Sequence, residues 1–387
     1  MFIRRELEES IKKFGVKFRV IGIFGPRQSG KTTLAKEIFK DYKYVLLEDY
    51  DVQKLARNDP RGFLSELENE NGVILDEVQN VPELVSYLQG VVDKQNRPGF
   101  WVLTGSQNFL LNQQITQSLA GRIAIFELLP LSIRELDSKN LKLDKVIFNG
   151  LYPEVHSADV SPTIFYKSYI KTYLERDVRQ IKNVMDLKQF QLFLKLCAGR
   201  IGQLLNFSSL ADEVGVSANT IKGWISILEQ CYIIFLLRPH YKNFGKRLVK
   251  TPKLYFYDTG VACSLLEIES NSTLYTHYLR GNLFENLIIM EIVKSFSNKG
   301  ATPNINFWRN QSGNEIDCIV EKDQKMIPIE IKSGKTINRS FFDGLDYWAT
   351  LTETKPASGY LVYGGDENME LAMGKIVSWR NVWNIVK

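Results

Sequence analysis

The sequence predicts an α/β protein with an N-terminal parallel-sheet domain, a helical annex, a winged helix-turn-helix and a C-terminal α/β domain. Three observations predict it: short apolar runs separated by helix-like segments, a middle stretch without β-branched runs, and a second strand-and-helix pattern near the end. At about 150 residues per domain, 387 residues suggest two or three domains. A 44% hydrophobic content, with 22 Phe and 17 Tyr, excludes wholesale disorder. The expected boundaries are 1–135, 136–205, 206–255 and 256–387.

The first domain follows from apolar runs at Phe18–Phe24, Tyr44–Leu47, Val73–Leu75, Phe100–Leu103 and Ile123–Leu128, each suited to a strand buried on both faces. From Pro130 to Leu205 the pattern turns helical, and Ile164–Ile181 is rich in aromatic and charged residues. Phe207–Lys253 reads as a helix-turn-helix followed by a hairpin. Glu267–Thr273, polar and rich in Ser and Asn, reads as a linker. A helix from Leu279 and a mixed set of short strands close the chain.

The charge excess, 49 Lys+Arg against 44 Asp+Glu, is only +5, so an argument for nucleic acid must be local. Cys197, Cys231, Cys263 and Cys318 lie far apart with no CxxC spacing, which suggests neither a disulfide framework nor a zinc site. The reading is cytoplasmic, with no membrane partner. The longest apolar stretches, such as Cys231–Leu237, fall far short of the roughly 20 residues a span needs.

Gly25-Pro26-Arg27-Gln28-Ser29-Gly30-Lys31-Thr32 matches GxxxxGK[ST] between a strand-like run and a helix-like segment that opens with Lys31-Thr32-Thr33. Its glycines let backbone N–H groups face phosphate oxygens, Lys31 reaches the outer phosphates, and the Thr32 hydroxyl suits Mg²⁺. The ligand implied is a nucleoside triphosphate. Val73-Ile74-Leu75-Asp76-Glu77 is an apolar strand ending in two acids, where Asp76 suits the metal through water and Glu77 suits activation of the attacking water. A third strand runs into Thr104-Gly105-Ser106-Gln107, which makes Ser106 and Gln107 candidates for positioning water or sensing phosphate.

Together GPRQSGKTTL, VILDEVQ, LTGSQ and Ser118-Leu119-Ala120-Gly121-Arg122 resemble the prokaryotic AAA+ (ASCE-type) ATPases that carry a C-terminal DUF4143 domain. The resemblance extends to YLERDVRQI, KLYFYDTG, GNLFENLI and the EID and EIK pairs. It implies ATP as the nucleotide, and an arginine supplied by one subunit to the γ-phosphate of the next. Arg122 is the first choice for that arginine and Arg176 the competing one. A homo-oligomer is left open, and no protein partner is named.

In the helix-turn-helix, Gly215 ends the first helix and Ser217 caps the second. Ile221, Trp224, Ile225 and Leu228 then share one apolar face, leaving Asn219, Thr220 and Lys222 for a groove. Arg238–Lys253 carries six Lys/Arg and no acid, and resembles a basic wing suited to phosphate backbones, DNA ahead of RNA.

In Ile327-Pro328-Ile329-Glu330-Ile331-Lys332, alternation buries the isoleucines and brings Glu330 and Lys332 out together on the opposite face. With Asp317 and the helix residue Glu285, these resemble a PD-(D/E)xK nuclease core, a restriction-endonuclease-like fold. That resemblance implies Glu285, Asp317 and Glu330 as metal ligands and Lys332 as the catalytic amine. The expected function is Mg²⁺-dependent ATP hydrolysis coupled to nucleic-acid binding or cleavage. The alternative is a nucleotide-switched DNA-binding or partner-docking protein with an inactive nuclease-like domain.

Overall fold

The computed structural model describes residues 2–106, 114–115, 117–136, 141–158, 160–174, 187–240 and 249–386. They form two compact units. One comprises Met1–Leu131 with Gln230–Tyr232 and Ser297–Ala301; the other comprises Ser132–Glu229, Ile233–Phe296 and Thr302–Lys387.

In the first unit, strands β1 (Val20–Phe24), β2 (Lys43–Leu46), β3 (Val73–Asp76), β4 (Trp101–Gly105) and β5 (Ile123–Glu127) form a parallel sheet in the order β2-β3-β4-β1-β5. The inner strands are buried throughout and mostly apolar because both faces are covered, and the pleat sends neighbouring residues to opposite cores. Val73, Leu75, Trp101 and Leu103 join the core that holds Leu84, Leu88 and Val92 of helix Leu84–Gln95. Ile74 and Val102 join the other, with Leu7 and Ile11 of α1 (Leu7–Phe14) and Leu34 of α2 (Lys31–Ile38). Since β4 lies between β1 and β3, the end of β4 falls between the loop after β1 and the acids after β3.

The second unit begins with helices at Leu143–Asn149, Pro153–Ser157, Pro162–Tyr169 and Leu187–Ala198, as the annex predicts. Helices Phe207–Val214 and Ala218–Gln230 follow, joined through Gly215 at φ 77°, and the Ser217 hydroxyl accepts the Thr220 N–H at 3.0 Å. Ile221, Trp224, Ile225 and Leu228 are buried, with Trp224 edge-on to Phe190. The hairpin is β6 (Ile234–Leu237) antiparallel to β7 (Lys253–Phe256).

A six-stranded mixed sheet completes this unit: β8 (Ile305–Arg309), β9 (Glu315–Lys322), β10 (Lys325–Lys332), β11 (Tyr360–Tyr363), β12 (Met369–Leu371) and β13 (Gly374–Ser378), in the order β12-β13-β11-β10-β9-β8. Helix Asp343–Thr352 packs Leu345 and Trp348 against Trp308, Ile316 and Leu361 of this sheet. The linker expected at Glu267–Thr273 is instead folded chain. Ile268 is buried, and Ser270 caps helix Asn271–Thr276 by accepting the Thr273 N–H at 3.1 Å. A Ser/Asn cluster is a helix-start signal as much as a linker signal, and here the cap decides.

Candidate functional sites

The loop after β1 folds as its glycines require. Gly25 has φ 154°, and a Cβ there would stand 2.2 Å from the Leu128 carbonyl oxygen. Gly30, at φ 92°, is the left-handed residue from which α2 starts. Lys31 is 5% exposed, with its ammonium on the Pro26 carbonyl at 2.7 Å. Burial pulls Lys31 down to about 8 although Glu77 and Asp76 oppose it. The Ser29 hydroxyl is buried without a partner among the described residues, so a donor or acceptor stands ready inside the loop. Arg5, buried, donates to the carbonyls of Ser29 at 2.7 Å and Leu129 at 2.6 Å, which ties the loop to the end of the sheet. Pro26 is buried, Arg27 and Gln28 are half-buried, and Thr33 is exposed.

Asp76 ends β3 at 2% exposure and is held almost entirely by neutral donors. Its Oδ2 accepts from the Thr32 hydroxyl at 2.8 Å and the Tyr44 hydroxyl at 2.7 Å. Its Oδ1 accepts from Thr104 and from the Glu77 N–H at 3.1 Å. Glu77 stands at φ 57°, and its carboxylate is met by the Gln79 amide, which also donates to the Ser106 hydroxyl at 3.3 Å. Burial, followed by the hydrogen bond to Asp76, raises the Tyr44 hydroxyl well above its ordinary value. Lys31, Thr32, Asp76, Glu77 and Ser106 are therefore gathered at the carboxyl ends of the strands. Gln107 lies outside the described residues.

Sequence reasoning missed Arg5, Tyr44, Gln79 and Thr104. Only Gln79 and Thr104 left a signal, for they lie within VILDEVQ and LTGSQ, though no role was read for either. Arg122 forms a two-point pair with Asp93, Nε to Oδ1 at 2.7 Å and Nη2 to Oδ2 at 2.8 Å, and Arg19 joins Asp93 at 2.9 Å. Its fork is occupied within its own unit. Arg176 lies outside the described residues.

In the second unit, Glu285, Asp317, Glu330 and Lys332 line one cavity of about 730 Å³. The Lys332 ammonium reaches Glu330 at 2.7 Å and Asp317 at 3.4 Å, and Asp317 also accepts the Ile331 N–H at 2.8 Å. Glu285 accepts from the Lys253 ammonium at 3.0 Å and the Tyr255 hydroxyl at 2.5 Å. Lys253 also pairs with Glu315, which takes the Arg309 guanidinium at 3.0 Å. Among the described residues no group of three His, Cys, Asp or Glu side chains could hold a metal ion.

Two readings of this region need correction. Glu330 does not emerge with Lys332, for it is 4% exposed while Ile327 is only half-buried. Helix Asp343–Thr352 covers that face so closely that a Cβ on Gly344 would stand 2.3 Å from the Glu330 carboxylate. Alternation marks two faces, and here both are covered. Burial, then Asp317, pushes Glu330 up to about 8 against the pull of Lys332. Lys253, counted among the cations of the basic wing, is 3% exposed and turned into this cavity.

Residues 17–137 match the AAA domain, 140–272 a domain of unknown function, DUF8612, and 280–382 the domain of unknown function DUF4143. The chain joins an AAA domain to a DUF4143 domain. An uncharacterized protein of Mycobacterium tuberculosis is 28% identical over 378 residues, covering 95% of this chain and 82% of that protein. One from Methanocaldococcus jannaschii is 25% identical over 359 residues, covering 84% and 76%. Among solved structures, a Walker-type ATPase of Pyrococcus abyssi is similar with a TM-score of 0.46 at 16% identity, covering 68% of this chain and 96% of that one. The DUF4143 match brings no activity with it, so the nuclease-like reading of its acids rests on the cavity alone.

Between the AAA and DUF4143 domains, Asn219 and Lys222 are exposed on the second helix of the helix-turn-helix and Thr220 is half-buried. In the basic stretch Lys250 is exposed, whereas Arg238 lies 3.6 Å from Glu229. Lys246 and Arg247 lie outside the described residues. Among the described residues no helix is long and apolar enough to cross a membrane, and none of the four cysteines is in a disulfide.

Proposed function

We propose that this chain hydrolyses ATP with Mg²⁺ and couples turnover to nucleic acid, DNA ahead of RNA. The observation that carries the reading is the meeting of Lys31, Thr32, Asp76 and Glu77 at one strand edge, with the Thr32 hydroxyl already on Asp76. The donor set fits: a hydroxyl and a carboxylate suit Mg²⁺, and the half-satisfied loop suits phosphate. When bound, Mg²⁺ supplies charge neutralisation at the outer phosphates. Lys31 would pair with the γ-phosphate, Thr32 and Asp76 would hold the ion, and Glu77 would accept the proton of the attacking water. Ser106 holds the position from which a strand-end hydroxyl reports on the γ-phosphate. The second helix of the helix-turn-helix and Lys250 supply the groove and backbone contacts.

The test is phosphate release by the full chain with ATP and Mg²⁺, with and without duplex DNA. Lys31→Ala loses nucleotide affinity, while Glu77→Gln keeps affinity and loses turnover. No Mg²⁺-dependent release sinks the ATPase reading; release indifferent to DNA, with no DNA bound, sinks the coupling alone. A second reading has nucleotide switching a protein whose C-terminal domain docks a partner and cleaves nothing. It is favoured by the lysines that already occupy the acids of the cavity. Metal-dependent cleavage of DNA or RNA by the purified chain would decide against it.

A further inference from the structure

The DUF4143 cavity gathers acids that resemble a divalent-cation set, with lysine ammoniums among them. Four carboxylates, Glu285, Glu315, Asp317 and Glu330, face two ammoniums, and every one of the four is within ion-pair reach of one of them. Lys332 belongs to the strand motif, but Lys253 does not. It arrives from β7, the hairpin strand that follows the helix-turn-helix, with its side chain only 4% exposed. There it bridges Glu285 and Glu315 and closes the part of the cavity that Lys332 does not reach.

An ion such as Mg²⁺ needs about six oxygens near 2.1 Å, several of them from carboxylates free to turn toward it. Glu285 is committed to Lys253 and Tyr255, and Asp317 to Lys332 and the Ile331 N–H. A divalent ion entering here would have to displace a buried ammonium held between Glu285 and Glu315. Burial alone would lower Lys253, but Glu285, Asp317 and Glu315 outweigh it and keep the amine charged.

We propose that the Lys253 ammonium takes the place of a divalent cation in this cavity, so that the DUF4143 domain binds neither Mg²⁺ nor Mn²⁺ there while Lys253 is present. The consequence is an acid cluster that is shut to metal by a residue outside the motif resembling a nuclease core.

The test titrates Mn²⁺ into the nucleotide-free full chain and reads free Mn²⁺ by electron paramagnetic resonance. Wild type and Asp317→Asn should take up the same Mn²⁺, since any weak binding at the phosphate loop is common to both. Lys253→Gln should bind Mn²⁺ at least about tenfold more tightly than wild type, because a like charge has left the cavity. Lys253→Gln/Asp317→Asn should lose that gain. Uptake by wild type that Asp317→Asn abolishes overturns the proposal, as does a folded Lys253→Gln protein with no gain. Should Lys253→Gln fail to fold, wild type against Asp317→Asn still decides: equal uptake supports the proposal and unequal uptake overturns it.

Discussion

Lys31 should make nucleotide affinity depend on pH in a window where ordinary lysines are silent. Burial sets its amine at about 8 in the ligand-free protein, below the ordinary 10.5. A triphosphate favours the ammonium, so binding takes up a proton wherever the free site has begun to lose one. The sign follows: affinity is full below about pH 8 and falls as pH rises through it. With a titration point at 8, Lys31 is about 90% charged at pH 7 and about 10% charged at pH 9, so affinity drops roughly tenfold, or about 1.4 kcal/mol. The assay is calorimetric titration of a non-hydrolysable ATP analogue with Mg²⁺ at pH 7, 8 and 9, in two buffers of different ionisation enthalpy. Proton uptake should be greatest at pH 9, where most free sites hold the neutral amine. Lys31→Arg, whose guanidinium stays charged throughout, controls for titration of the ligand and should give a nearly flat profile. Equal wild-type affinity at pH 7 and 9, or the same slope in Lys31→Arg, would refute the reasoning.

If Arg122 leaves Asp93 to act on a neighbouring subunit, Arg122→Ala should lower kcat by about 10³ with ATP affinity little changed, and mixing it with Lys31→Ala protein should restore some turnover; a monomeric, fully active ATPase would exclude this. Neutralising Lys246, Arg247 and Lys250 together should weaken DNA binding equally across sequences and flatten its salt dependence, and an unchanged slope would assign the helix-turn-helix to protein contacts. Glu330, raised from 4.5 to about 8, contributes stability that is full below pH 4.5 and is lost as pH climbs through 8. Thermal unfolding at pH 5 and 9 should therefore show a smaller decline in Glu330→Gln than in wild type, and equal declines would mean that Glu330 is ionised throughout.

What the sequence made legible was whatever local pattern determines. Strands covered on both faces announce themselves as unbroken apolar runs, which is how β1, β3 and β4 were readable within a residue or two. The phosphate loop and the two helix-turn-helix helices were readable because glycines and caps act over a few positions. The shell around Asp76 was not, since Tyr44 and Thr104 come from flanking strands and their hydroxyls meet only once the order β2-β3-β4 is fixed. Lys253 was misread for a related reason. In a run of cations it looks solvated, but it is the first residue of a strand whose partner on β6 is Leu237, and that pairing turns it inward.

The two acidic constellations also differ in how their carboxylates are satisfied, and that difference decides what each can bind. Asp76 receives three hydroxyls and a backbone N–H. Neutral donors fix the direction of a carboxylate and leave its charge uncancelled, so the negative potential at the strand edge remains available to a cation arriving with phosphate. The DUF4143 acids are met by ammoniums, which fix the same geometry and offset part of the charge in doing so. Strings such as LDE and EIK are alike in placing acids at strand ends, but a string does not say whether the donor that comes to meet the acid is a threonine or a lysine. That information sits on other strands: Thr104 and Tyr44 in one case, Lys253 in the other. An acid at a strand end is therefore evidence for a metal site only once its donors are known. By that criterion Asp76 is met by hydroxyls and a backbone N–H, and the DUF4143 acids are met by lysine ammoniums.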